Sequence, residues 1–185
     1  MGIASFVDGA LTTHSLGQSD VALALACSAV DATAKKIYPQ AKVGERYRAF
    51  LRENLELVTA FGFPGVQAAG IRIKVGPDLG LDPKDVDKDS YAGIEAILYN
   101  FVRCGLVHEC DIETKIRFTK ETQIGNFDKT FCLPAALILG LLAAVVLHPV
   151  NSAERSQLDS SIELSGRRFS LNSLWGKGRS GVHLG

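Results

Sequence analysis

No charge of one sign dominates this chain. Its 185 residues carry 20 Lys+Arg against 20 Asp+Glu, a formal net charge of +0. A balanced chain sets up no global field to draw in nucleic acid or an anionic membrane. Any RNA contact therefore has to be local, such as a cleft lined by a few arginines. Cysteine is sparse, with Cys27, Cys104, Cys110 and Cys132 scattered along the chain. The N-terminus MGIASFVDGA has neither the basic start nor the apolar core of a secretory signal, and Ser5 lies one residue too early for the myristoylation pattern. Free thiols in a reducing cytoplasm are the expectation.

Other absences narrow the architecture. There is no internal repeat, no coiled coil, and no linker long enough to divide domains, so the length suits one domain. The most apolar stretch, Phe131 to Leu147, holds 17 residues without a charge. That is just short of the roughly 20 needed to span a bilayer. It stands alone and lacks a basic flank, since the nearest cations are Lys129 and Arg155. A buried core or dimer-interface helix is expected there, with Pro134 in its first turn and no contact with a membrane.

What is present reads as a mainly α domain with small strand and hairpin additions. At 46% hydrophobic and 22% charged, the chain can bury a core. Residues 1–17 are small and polar and are expected as an arm outside the domain, a candidate flexible segment. The domain proper spans 18–175, and the Gly-rich residues 176–185 form a loose tail.

Within the domain, VALALACSAVDATAKKI predicts a first helix from about Gln18 to Ile37, capped by Ser19 or Asp20. An Asp31–Lys35 pair at i,i+4 is expected on it. Tyr47, Phe50, Leu51, Leu55 and Val58 form the stripe of a second helix from about Gly44 to Ala60. Its Arg46, Arg48 and Arg52 form a solvated face or, alternatively, contribute to an RNA groove, and Arg52–Glu56 is a second expected pair. Strands are expected at Ile71 to Val75, Lys115 to Thr119 and Phe127 to Cys132, and a hairpin around Gly166.

The chemistry concentrates in a central helix, expected from Asp89 or Ser90 to His108. Ile94, Ile97, Leu98, Phe101 and Val102 make its apolar stripe, and Arg103 and His108 close it. A guanidinium can hold two phosphate oxygens at once. An imidazole titrates near neutrality and can take or give a proton. Together they suit metal-independent cleavage of RNA, whose 2′-hydroxyl supplies the nucleophile. On an ideal helix five residues turn through about 500°, which leaves the two side chains roughly 140° apart. A site shared across a two-fold axis would bring them together. The alternatives are a core histidine at 108 and an Arg103–Glu109 pair. Cys104, His108 and Cys110 do not match a common zinc spacing, so no metal or other cofactor is expected.

The segment LYNFVRCGLVHE resembles the signature of the HEPN superfamily (higher eukaryotes and prokaryotes nucleotide-binding domain), an arginine four to six residues before a histidine at the end of an apolar helix. The Ala/Leu-rich first helix with its internal acid, Asp31, and the following RYRAFLRENL are similar to the usual HEPN opening. The resemblance covers about residues 18–150. It implies a HEPN-like helical bundle, commonly a homodimer, with Arg103 and His108 as catalytic residues and Asp31 and Cys104 in support. It further implies a metal-independent endoribonuclease of toxin–antitoxin or phage-defence type, with RNA and an antitoxin or other regulatory protein as candidate partners. Active members often carry Asn, Asp or His after the arginine. Cys104 stands there instead and is a poor hydrogen-bond donor. The alternative is therefore a catalytically inactive module for RNA binding or protein assembly.

Overall fold

The computed structural model describes residues 2–63, 72–76, 81–100, 116–121, 123–127, 130–158, 160–164 and 166–182. Its first third is helical: α1 (Ile3–Ser15), α2 (Ser19–Ile37), α3 (Val43–Glu53) and α4 (Leu55–Gly62). The expectation of a polar arm over residues 1–17 is corrected. Ile3, Ala4, Val7 and Ala10 recur on one helical face, are buried, and set α1 against α2. Complete burial of a residue such as Val7 contributes about 1.5–3 kcal/mol relative to exposure. Gly17, at φ +77°, turns the chain into α2, which follows Gln18 with no side-chain cap. The predicted second helix is two, because the buried amide of Asn54 donates to the Phe50 carbonyl at 2.9 Å and interrupts the run.

The central helix also begins later than expected. The carboxylate of Asp87 accepts from the N–H groups of Asp89 and Tyr91, each at 2.9 Å, and Ser90 takes φ +66°. That turn sends β2 (Tyr91–Gly93) antiparallel to β1 (Arg72–Lys74), with Ile73 opposite Ala92. The helical part is α5 (Ile94–Ile97), which continues as a wider π turn to Asn100.

The apolar segment divides as well. β5 (Thr130–Pro134) lies between β3 (Ile116–Thr119), to which it is parallel, and β4 (Gly125–Phe127), to which it is antiparallel. Pro134 therefore ends a strand and does not open a helix. A short unbroken apolar run carries no periodicity to separate a strand buried on both faces from a buried helix. Pairing on both edges decides it for Phe131 and Cys132, and pairing with β3 extends the strand through Leu133.

The expected HEPN-like helical bundle is thereby corrected to a mixed architecture. Among the described residues helix outnumbers strand, but three separate sheets contribute, one containing a parallel pair.

α6 (Leu137–Leu147) is the centre of the core. Ten of its 11 residues are buried, so it has no polar face, and it touches α1, α2 and α4. Gly140 faces the backbone of α4, where a Cβ would collide with the Val58 carbonyl oxygen and lie 3.0 Å from the Gly62 Cα. β6 (Ser161–Leu164) and β7 (Arg167–Ser170) form the expected hairpin, turning at Gly166 with φ +72°. The expectation of a loose tail from residue 176 is corrected up to Val182. The N–H groups of Gly176 and Gly178 donate to the Val146 and Leu147 carbonyls at 2.9 and 2.8 Å, capping α6, and Val182 is buried. Among the described residues no helix is long and apolar enough to cross a membrane.

Candidate functional site

The turn at Leu98–Asn100 is the last described part of the segment that leads to the proposed reactive pair. Three neighbours hold it. The Tyr99 ring lies 5.6 Å from the Tyr47 ring, centroid to centroid, and the Arg48 guanidinium sits 4.7 Å above it. A Cβ at Gly44 would come within 2.7 Å of the Tyr99 hydroxyl, so a larger residue in the first turn of α3 would displace the Tyr99 ring. Asn100 donates to Asp85 Oδ2 at 3.1 Å and to the Ala96 carbonyl at 3.0 Å. The same Asp85 oxygen lies 3.7 Å from Arg48 Nη1.

Beside this anchor opens a cleft of about 410 Å³, lined by cationic Arg52, Arg72 and Lys84, with Asp85 and Glu95 among them and Leu55 below. Arg52 pairs with Glu95 at 3.3 Å in place of the expected Glu56, which pairs with Arg179. Arg72 pairs with Asp87 at 3.3 Å and Lys84 with Asp82 at 2.7 Å. The Lys84 ammonium holds Asp82 below the ordinary carboxylate value, and the Tyr91 N–H does the same first of all for Asp87. Arg52 was legible as a groove candidate from the charged face of its helix. Arg72, Lys84 and Asp85 were not, because only folding carries the β1 strand and the loop before β2 to that face.

Arg103, Cys104, His108 and Cys110 lie outside the described residues. Asp31 is described and does not pair with Lys35. Its two oxygens receive Arg46 Nε and Nη2 at 3.1 and 3.4 Å. The sequence left the Arg46 partner open because Asp31 and Arg46 stand on different helices, 15 positions apart.

A second group of titratable side chains gathers where α2, α3 and α6 end. The His148 ring packs 5.7 Å from that of Phe50, and its Nδ1 accepts the Val150 N–H at 3.2 Å. Burial pulls the imidazole below its ordinary value, against the raising influence of Glu53. Tyr38 is pushed up to about 12, first by burial, then by its hydrogen bond to Glu53 and by that carboxylate's charge. In sequence His148 reads only as a helix stop before Pro149.

The chain is similar to the uncharacterized proteins Rv1289 and MT1327 of two Mycobacterium tuberculosis strains and to Mb1320 of Mycobacterium bovis. Each is 33% identical over 159 residues, covering 85% of this chain and 75% of the relative. No solved structure matches it. The Rv1289 family model matches residues 2–183, so the match takes in the corrected α1 helix, the charged cleft and the docked tail, and the chain belongs to the Rv1289 family.

Proposed function

We propose that this chain is an RNA-cleaving protein that works without a metal, with Arg103 and His108 as its reactive pair. The observation that supports this most is the anchoring of Asn100 and Tyr99 on Asp85, Arg48 and Tyr47. It seats the turn that precedes Arg103 in sequence on an arginine-bearing helix face beside the cleft lined by Arg52, Arg72 and Lys84. The likeness of LYNFVRCGLVHE to the HEPN motif supports the chemistry, though the bundle it implied does not stand.

In the proposed reaction His108 takes the proton of a ribose 2′-hydroxyl. The 2′-oxygen attacks the adjacent phosphorus, and Arg103 holds the phosphoryl oxygens as charge builds on them. The bond to the 5′-oxygen breaks, and that oxygen leaves with a proton from solvent. The products are a 2′,3′-cyclic phosphate and a 5′-hydroxyl. A second copy of the chain would bring another such pair to the same groove.

The test is incubation of the purified chain with single-stranded RNA in EDTA. Cleavage to a cyclic phosphate that disappears in Arg103→Ala and His108→Ala supports the reading. Cleavage at the wild-type rate in both variants removes the assigned roles.

One observation favours a second reading, an inactive RNA-binding or protein-assembly module. Arg48, Arg52, Arg72 and Lys84 are each matched by a carboxylate, so the face around the cleft is balanced in charge. Such a face suits a protein partner, for instance a regulatory protein, better than a polyanion. Metal-free cleavage lost in both variants would overturn this second reading.

A further inference from the structure

A separate cavity of about 380 Å³ opens between α1, α2 and α3, at the low end of the roughly 300–1,000 Å³ typical of small-molecule sites. Its chemistry divides into three parts. Phe6 and Ala32 supply an apolar wall. Arg46 and Lys35 supply cations, while Asp31 and the Ser28 hydroxyl supply acceptors.

The polar groups are oriented by bonds that leave capacity unused. Arg46 spends Nε and Nη2 on Asp31 and Nη1 on the Ala41 carbonyl, which leaves two of its five N–H groups. Asp31 receives one bond at each oxygen and can accept more, but an ionised carboxylate cannot donate. Ser28 gives its proton to the Ala24 carbonyl at 2.9 Å and so presents lone pairs only. Among the described residues no ion pair holds Lys35, which stands exposed at the rim. Two cations against one carboxylate leave a net positive cavity.

The ion pair itself is costly to build. The side chains of Arg46 and Asp31 are only 12% and 27% exposed, and taking such a pair out of water commonly costs more than a packed apolar pair would. A small planar molecule would use every part. Its ring would lie along Phe6, its N–H groups would donate to Asp31 and Ser28, and its negative group would meet Lys35 and the spare Arg46 donors.

We propose that the cavity between α1, α2 and α3 binds an aromatic ring carrying an amino group and one anionic group. A phosphate on a nucleobase ribose and a carboxylate on an aminobenzene share that chemistry.

Calorimetric titration of the full chain with cytidine 5′-monophosphate, 4-aminobenzoate and inorganic phosphate tests it. At least one of the two amino-aromatic anions binds with millimolar or tighter affinity, and which of them binds tells whether the anion is phosphate or carboxylate. Inorganic phosphate binds roughly tenfold more weakly or not at all, because it uses the cations alone. Lys35→Gln, at an exposed position, weakens binding by roughly tenfold with an unchanged melting temperature. Absence of binding by both aromatic anions, equal binding by inorganic phosphate, or undiminished affinity in both Lys35→Gln and Ser28→Ala would overturn the assignment. The readout requires no RNA cleavage, so this site and the proposed nuclease succeed or fail separately.

Discussion

Asn100 and Asp85 are joined by a hydrogen bond of 3.1 Å that ties the last described turn before Arg103 to a 3₁₀ turn, Pro83–Asp85, in the preceding loop. Asp85 also neutralises Arg48, whose side chain is 14% exposed. Asp85→Ala therefore strands two donors. The expected cost is about 1–3 kcal/mol in urea unfolding. In a double-mutant cycle with Asn100→Ala the coupling should reach about 0.5–3 kcal/mol. A coupling of zero would show that the bond does not anchor the segment.

Gly140→Ala tests the crossing of α4 and α6. The added methyl meets the Val58 carbonyl and the Gly62 backbone, neither of which can rotate away. A loss of about 1–3 kcal/mol or more is expected, measured by chemical denaturation. A neutral result would mean that the helices do not approach so closely.

His148 makes stability depend on pH. Its folded value lies below the ordinary 6.5, so the folded state favours the neutral ring and the unfolded state binds the proton more readily. The contribution is complete above pH 6.5 and is lost as pH falls through the lower folded value. Protonation at Nδ1 also breaks the bond from the Val150 N–H. Melting temperatures of wild type and His148→Gln should converge as pH falls from neutrality towards 5. Parallel curves over that range would count against the assignment.

Asp8 ties α1 to the loop after α6. Its buried carboxylate accepts from Ser156 Oγ at 2.6 Å and from the Gln157 N–H at 3.3 Å. Asp8→Ala leaves those donors unmatched and should cost about 1–3 kcal/mol. Removal of residues 1–17 should go further, exposing apolar faces of α2 and α6 and binding a hydrophobic dye. A shortened chain that melts like the full one would restore the view of these residues as a dispensable arm.

Several of these elements could be read directly from residue order. The helix from Ser19 to Ile37 follows from an Ala/Leu-rich run ended before Pro39, and the terminal hairpin from alternation around Gly166. Of the expected stripe, Tyr47, Phe50, Leu51 and Val58 are buried as its spacing predicts and Leu55 is half-buried. By contrast, α1 was obscured by threonines and glycines, although Ile3, Ala4, Val7 and Ala10 carry helical spacing. Of the proposed site, Arg103 and His108 come from the sequence motif alone, while Asp85, Tyr99 and Asn100 come from the structure alone.

Local order of residues determined where this chain can coil and turn, because backbone preference and apolar spacing act over a few positions. Only the tertiary structure decided that the strand expected to end at Cys132 runs on to Pro134, that Asp31 meets Arg46, and that Asp85 reaches Asn100. Strand pairing and ion pairing depend on which groups arrive from distant parts of the chain, and burial then makes an unmatched donor or charge too costly to leave.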